Sequence, residues 1–273
     1  MQEAHDADVP RVSERSEVLS TGSDRVGEQI IPRVIHCIWL GSKKIPKFFR
    51  PCVDSWVRYH PDWKLELWRD ETLPPLSCQA EFERANRFQV KYDIVRFEVM
   101  RQLGGVIIDM DMEAIRPIDP LLEGVVAFGG RHKDRVGTQV LGAVPHHPFF
   151  EQVVERLRET VDTTPNTSDQ AGPAFLGYAA AEYGGGDLTI FPSETFYSPL
   201  TIEPPLRPDA FPEIYAVHHH FESYKQDPDA RFPNLQKRLR IAERELWRER
   251  RRNRKLVEKL SRLEQRSEGN EPE

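Results

Sequence analysis

From residue 31 onward the chain alternates short, β-rich apolar runs with segments of helical period. Val34-Ile35-His36-Cys37-Ile38-Trp39-Leu40, ended by Gly41-Ser42, predicts a buried strand. Pro46 opens a helix in which Phe48, Phe49, Cys52, Val53, Trp56, Val57 and Tyr59 fall at near-helical spacing, and Pro61 stops it. Lys64-Leu65-Glu66-Leu67-Trp68 alternates as a second strand. Strand, helix and strand at this spacing form a βαβ unit, which implies a parallel pair joined by a right-handed crossover. Pro74-Pro75 marks a loop. The spacing next predicts a helix over 88–103, ended by Gly104-Gly105. The strand Val106-Ile107-Ile108 then runs straight into Asp109-Met110-Asp111. Further strands are expected at 125–129, 139–144, 188–191 and 214–218, with helices over 149–160 and 174–183. Prolines crowd the stretch from Pro192 to Pro233, which reads as loop.

The two ends have a different character. Residues 1–30 are polar and aperiodic and predict a disordered tail. One α/β domain is expected over 31–228, a basic helix over 229–266 and a second tail over 267–273. Leu235, Leu239, Ala242, Leu246, Glu249, Asn253, Leu256, Leu260 and Leu263 follow alternating steps of four and three, a coiled-coil seam. Asn253 in that seam favours a parallel homodimer through 235–263. From Lys237 to Arg266 there are 13 Lys and Arg against 5 Glu, in a chain whose net charge is −6. Two other readings of this segment stay open: a helix folded back on its own domain, and a basic face on an anionic membrane.

Composition narrows the class. No window approaches the roughly 20 apolar residues of a transmembrane helix. The N-terminus lacks the basic start and apolar segment of a secretory signal. Cys37, Cys52 and Cys78 are odd in number and show no CxxC spacing, so neither a disulfide framework nor a structural zinc site is expected. A cytoplasmic location, peripheral at the inner face of the membrane if the basic tail binds there, fits best. No nucleic-acid partner is expected.

The sharpest chemical signal is Asp109-Met110-Asp111. Two carboxylates leave the end of an apolar strand, the edge where open α/β sheets bind ligands. Hard oxygen ligands two residues apart suit Mg²⁺ or Mn²⁺ bridging a diphosphate. On its own, DxD is also a common solvated turn. The preceding helix adds an independent argument. At about 100° per residue, Glu98, Lys91 and Gln102 point to water, while Asp93 and Arg96 fall in the middle of the apolar face. Buried charges need partners. Asp93 and Arg96 either pair with each other or line a polar pocket, where a carboxylate would accept hydroxyls and a guanidinium would clamp phosphate.

Ile35-His36-Cys37-Ile38-Trp39-Leu40-Gly41, Ser55-Trp56, Tyr92-Asp93-Ile94-Val95-Arg96 and Gly104-Gly105-Val106-Ile107-Ile108-Asp109-Met110-Asp111 together resemble the glycosyltransferases with a DXD sugar-binding region. This is the family 32 group, related to yeast α-mannosyltransferases and, distantly, to clostridial glucosylating toxins. The resemblance covers roughly residues 31–225. It implies a GT-A, Rossmann-like fold, a UDP- or GDP-hexose donor, Mn²⁺ or Mg²⁺, a hydroxyl acceptor and retention of anomeric configuration. By the same resemblance Trp39 packs on the nucleotide base, Asp93 binds sugar or ribose hydroxyls, and Arg96 binds the diphosphate or sugar. Asp109 contacts ribose and metal, and Asp111 ligates the metal. Gly172 belongs to a Gly-Pro turn beside the sugar, His218 is the third metal ligand, and Ser223 and Tyr224 approach the diphosphate. Tyr224 stands where Trp is usual and Gln139 where Asn is common.

Two other functions fit parts of the pattern. A DxD phosphohydrolase would use the first Asp as nucleophile, but Glu113 occupies the place where that pattern wants Thr or Val. A degenerate, non-catalytic sugar-nucleotide-binding module tethered by its C-terminal helix also fits.

Overall fold

In the computed structural model, which describes residues 29–197 and 212–220, β1 (Val34–Ile38), α1 (Arg50–Tyr59) and β2 (Lys64–Trp68) form the expected βαβ unit. β1 and β2 pair in parallel, with Val34 opposite Lys64 and Ile38 opposite Trp68. A 3₁₀ turn, Lys47–Phe49, comes before α1, where the sequence suggested one continuous helix from Pro46. Pro51 then sits in the first turn of α1, where its missing N–H leaves no helical bond unmade.

α2 (Gln79–Arg84) and α3 (Phe88–Leu103) follow, α3 with its expected bounds. β3 (Gly105–Ile108) then enters the sheet parallel to β1, Ile35 opposite Val106. Only glycine fits this entry. Gly104 and Gly105 have φ of +61° and +81°. A Cβ on Gly104 would lie 2.5 Å from the Ala143 carbonyl oxygen, and one on Gly105 would lie 2.7 Å from that of Val34.

The rest of the described chain comprises β4 (Met112–Ala114), β5 (Ala127–His132), β6 (Arg135–Ala143), α4 (Pro148–Thr160), α5 (Thr167–Gln170), α6 (Pro173–Glu182), β7 (Leu188–Phe191), α7 (Ser193–Phe196) and β8 (Ala216–His218). The main sheet has the order β2-β1-β3-β6-β5-β7, and β4 and β8 form a second, small sheet. The α/β class holds, but the main sheet is mixed, because β6 runs antiparallel to both β3 and β5. β5 and β6 extend past the runs expected at 125–129 and 139–144. They form a hairpin turning at Lys133 (φ +59°), so the ladder continues where the side chains have become polar.

α3, α4 and α6 share a core with the sheet, in which Val95, Val99, Phe150 and Phe175 meet Ile107 and Leu141. α3 lies deep, and every residue from Asp93 to Met100 is buried. This corrects one expectation. Glu98 does not face water; it is wholly buried. It accepts hydrogen bonds from the Ser77 hydroxyl (2.6 Å), Cys78 N (2.9 Å), Arg101 Nε (3.0 Å) and Gln102 Nε2 (3.0 Å). Burial pushes its carboxyl up, but the bonds from Ser77, Gln102 and Cys78 outweigh that and hold it at about 2. Leu103, the last residue of α3, is 39% exposed.

Order reaches slightly before residue 31, since Gln29 bridges to Glu123 and Ile31 is buried. The tails expected at 1–30 and 267–273 and the helix at 229–266 otherwise lie outside the described residues. Cys37, Cys52 and Cys78 are all buried. Among the described residues, no helix is long and apolar enough to cross a membrane.

Candidate active site

β3 delivers Asp109 to the sheet edge. Asp109 N donates to the Gln139 carbonyl on β6 (2.9 Å), and Met112 N donates back to the Asp109 carbonyl (3.0 Å), closing the turn that carries Asp111. β4 then pairs antiparallel with β8, Met112 opposite His218. His219 N donates to the Asp111 carbonyl (3.0 Å), and His218 Nε2 stands 3.3 Å from Asp111 Oδ1. One ligand atom from each of Asp109, Asp111 and His218 lies within 4.8 Å of the others. His218 Nδ1 is buried with no hydrogen-bond partner. Two carboxylates, one imidazole and an orphaned ring nitrogen fit a divalent cation.

The free edge of β4 is closed by side chains of α1. Ala114 N donates to Ser55 Oγ (2.8 Å), and Trp56 Nε1 donates to the Met112 carbonyl (2.9 Å). His60 donates from Nδ1 to the Trp56 carbonyl (2.9 Å) and accepts at Nε2 from Ile118 N (2.9 Å). With β8 on one side and α1 on the other, the short strand after Asp111 has its backbone groups satisfied on both edges. Ser55 and Trp56 therefore hold the acidic turn from behind.

α3 supplies the second half of the site. The Arg96 guanidinium donates through separate nitrogens to Asp93 Oδ1 and Asp109 Oδ1. The pairing of Asp93 with Arg96 and a place in the polar site are thus both realised. The Tyr92 hydroxyl donates to the same Asp109 oxygen (3.3 Å), and the guanidinium lies 4.7 Å from the Tyr92 ring centre. Burial pushes the Asp93 carboxyl up to about 7, against the pull of Arg96. Burial also raises Asp109, with Asp111 adding to it and Arg96 opposing. Such a cluster is held ready for an added cation and an anionic ligand.

The other expected residues are placed as follows. Trp39 sits half-buried just past β1, donates from Nε1 to the Lys43 carbonyl (2.7 Å) and meets the Phe49 ring edge-on at 5.6 Å. Gly172 caps α6, and its nearest neighbours are Thr167 and Ser168 of α5. The structure gives it a packing role, since a Cβ would come 2.8 Å from Ser168 Cα. Gln139 Oε1 is buried without a hydrogen-bond partner, on the strand whose backbone meets Asp109. Ser223 and Tyr224 lie outside the described residues.

Sequence reasoning missed three features. The contact of Tyr92 with Asp109 was one, although the i, i+4 relation of Tyr92 to Arg96 was an available signal. His219 donates to Glu113 (2.7 Å) beside the His218 cluster, a pair with no sequence signal because β4 is too short to show a period. His132 stacks on Tyr197 (4.8 Å) and on His220 (5.7 Å), an arrangement that only the β5–β6 hairpin creates.

Residues 46–126 match the family model described as a glycosyltransferase sugar-binding region containing a DXD motif, as the resemblance implied. Inositol phosphoceramide mannosyltransferase 2 of Schizosaccharomyces pombe is 32% identical over 149 residues, 52% of this chain and 42% of that protein. Inositol phosphoceramide mannosyltransferase 1 of the same yeast is 30% identical over 169 residues, 56% of this chain and 52% of that protein. The chain thus spans about half the length of these relatives. Among solved structures, PaToxG glycosyltransferase shares 16% identity at a TM-score of 0.48, covering 56% of this chain and 69% of its own. The α/β architecture expected from the sequence holds, with the DXD motif at the end of β3.

Proposed function

Starting from a chain whose residues 46–126 match the DXD sugar-binding region of glycosyltransferases, we propose a metal-dependent, retaining transferase that moves a hexose from a nucleotide-sugar to a hydroxyl acceptor. The observation that carries this reading is the convergence of Asp109, Asp111 and His218 beside a buried arginine. A Mn²⁺ or Mg²⁺ ion held by those three residues would neutralise the diphosphate leaving group.

Every other step belongs to the protein's own side chains. Arg96 is fixed by Asp93 and Asp109, so its positive charge needs no reorganisation as negative charge develops on the donor diphosphate. Asp93 orients a sugar or ribose hydroxyl. Trp39 offers its ring to the base. Tyr92 and Arg96 hold Asp109 in one orientation. In this proposal the C1–O bond to the diphosphate breaks as the acceptor oxygen bonds to C1 from the same side, and the acceptor's proton passes to the departing phosphate oxygen, which retains configuration. Ser223, Tyr224 and Gly172 complete the donor pocket in this proposal. The relatives are named for mannosyl transfer to inositol phosphoceramide, so a mannosyl donor heads the screen. For residues 235–263 we propose a homodimer seam. An unchanged mass by light scattering, on truncation after Asp227, would sink it and leave the fold-back and anionic-membrane readings.

The test is a donor screen by thermal shift and hydrolysis. It uses UDP- and GDP-sugars, with and without Mn²⁺, on the wild type and Asp111→Asn. Metal-dependent stabilisation and slow hydrolysis of one donor, both lost in the variant, would support the proposal. Binding without hydrolysis would leave a non-catalytic sugar-nucleotide module, and no response to any donor would remove both.

A further inference from the structure

The loop leaving β1 carries a second, separate surface. From Gly41 to Arg50 it exposes Lys43, Lys44, Lys47 and Arg50 and contains no carboxylate. Arg50 pairs with Asp54 (3.4 Å), while Lys43, Lys44 and Lys47 make no ion pair among the described residues. Asp70 touches the loop, accepting from Gly41 N (2.6 Å). Aromatic rings are continuous with these cations. Phe48 packs on Phe49 (4.5 Å), and Phe49 packs on Trp39, whose Nε1 is tied to the Lys43 carbonyl. The Phe88 ring lies against Gly41, where a Cβ would come within 3.7 Å of it. Phe88 is 53% exposed and follows the exposed Arg87.

An exposed ring among unpaired lysines asks for a partner that takes both. A soluble polyanion would use the lysines and leave Phe88 in water. A bilayer interface accepts the ring at the acyl boundary and the ammonium groups among anionic headgroups, with the lysine stems lying along the apolar zone. Outside the basic segment 237–266 the chain is net acidic and repels such a surface, so in that part this cationic edge sets the orientation. β1 and β3 run parallel, which puts the loop at the same sheet edge as Asp109.

We propose that Lys43, Lys44, Lys47 and Phe88 form a docking surface for an anionic lipid bilayer, with Phe88 the inserting ring. The surface stands on its own geometry. Joined to the transferase reading, on which this extension rests, it makes a membrane-borne hydroxyl the acceptor class.

The experiment floats the full chain with phosphatidylcholine vesicles, with and without phosphatidylserine, keeping residues 221–273 in every variant. Wild type floats with the anionic vesicles and loses this in high salt. Lys43→Glu/Lys44→Glu/Lys47→Glu lowers the partition coefficient roughly 100-fold. Phe88→Ser lowers it on the order of 10-fold. Wild type that does not float, or a triple variant that floats like it, overturns the proposal; in the second case the basic tail alone does the binding. An effect of the lysines with none of Phe88 overturns the lipid assignment in favour of a general polyanion surface. Melting curves confirm that both variants fold. Donor hydrolysis in solution, without vesicles, reads the transferase proposal independently, and the triple variant leaves it unchanged.

Discussion

His218 Nε2 lies 3.3 Å from Asp111 Oδ1, although the two residues come from strands far apart in the chain. The antiparallel pairing of β4 with β8 creates this relationship. Met112 faces His218, and the next backbone bond, from His219 N to the Asp111 carbonyl, sets the acidic turn against the imidazole. The third candidate ligand is therefore delivered by a strand pair of three residues on each side. The fit of the cation depends on that pair keeping its register.

Removing either side of the contact should uncouple metal from stability. With Mn²⁺ in excess, the wild type should melt higher than without it, because in the proposed site the ion binds only the assembled cluster. His218→Ala and Asp111→Asn are expected to weaken Mn²⁺ affinity at least about 100-fold, beyond the roughly 10- to 100-fold typical of losing a residue that only orients a ligand. Thermal shift across a Mn²⁺ titration reads this directly. A full metal response in His218→Ala would take the imidazole out of the site.

Arg96 bridges the buried Asp93 and the half-buried Asp109, so its loss should cost stability as well as turnover. Its side chain is 3% exposed and bonds both Asp93 and Asp109. Arg96→Ala leaves those charges uncompensated, and about 3–5 kcal/mol of stability should disappear. Arg96→Lys keeps the charge but loses the planar fork that reaches both partners. It should retain most of the stability and lose at least about 10-fold in donor hydrolysis, since one ammonium cannot hold both carboxylates and face the diphosphate. Urea melts beside hydrolysis rates separate the two effects, and Arg96→Lys hydrolysing as fast as wild type would remove Arg96 from the chemistry.

Trp56 is wholly buried, yet its indole N–H serves the site from behind through the Met112 carbonyl. Trp56→Phe keeps most of the packing and leaves that carbonyl without a donor, at a cost of about 1–3 kcal/mol. Because Met112 follows Asp111 directly, Mn²⁺ half-saturation should also rise about 10-fold, as for a residue that orients a ligand. Loss of stability with unchanged metal affinity would reduce Trp56 to a core residue.

The parts of the fold legible in the sequence were those where local chemistry and the fold agree. α3 showed its end because only glycine can follow it into β3, at φ +61° and +81°. β1 and β2 were bounded by turn residues and carried a strand period. β4 was not visible, because three residues show no period and its stability comes from β8, Ser55 and Trp56. Glu98 was misread for a physical reason. A wheel assumes that one helix face meets water, but the loop carrying Ser77 and Cys78 covers that face and supplies the donors a buried carboxylate needs. Asp93 and Arg96 were legible as misplaced charges on an apolar face. The second partner of Arg96, Asp109, was not, since no local pattern encodes a contact between a helix and the end of the strand that follows it.

The last prediction concerns His36, which joins β1 to the turn before β3. Its Nε2–H donates to the Gly104 carbonyl (3.0 Å) and its Nδ1 accepts from Trp68 Nε1 (3.1 Å), so both bonds require the neutral ring. A proton on Nδ1 would face the indole N–H. Burial pulls the imidazole down to about 4. In the unfolded chain it returns to about 6.5. Between these values the unfolded state binds the extra proton, so stability falls as pH falls through that window and is fully present above it. From pH 7 to pH 5 this one residue should remove about 2 kcal/mol. His36→Gln offers an N–H donor and a carbonyl acceptor without a titrating proton. It will be less stable than wild type at pH 7, because its amide cannot match the ring's geometry, but its stability should fall by about 2 kcal/mol less on going to pH 5. Other buried histidines, His60 and His147 among them, are also held below their ordinary range and contribute equally to both proteins. The difference between the two urea-melt series therefore isolates His36, and parallel losses in wild type and variant would show that its ring is not held neutral by the fold.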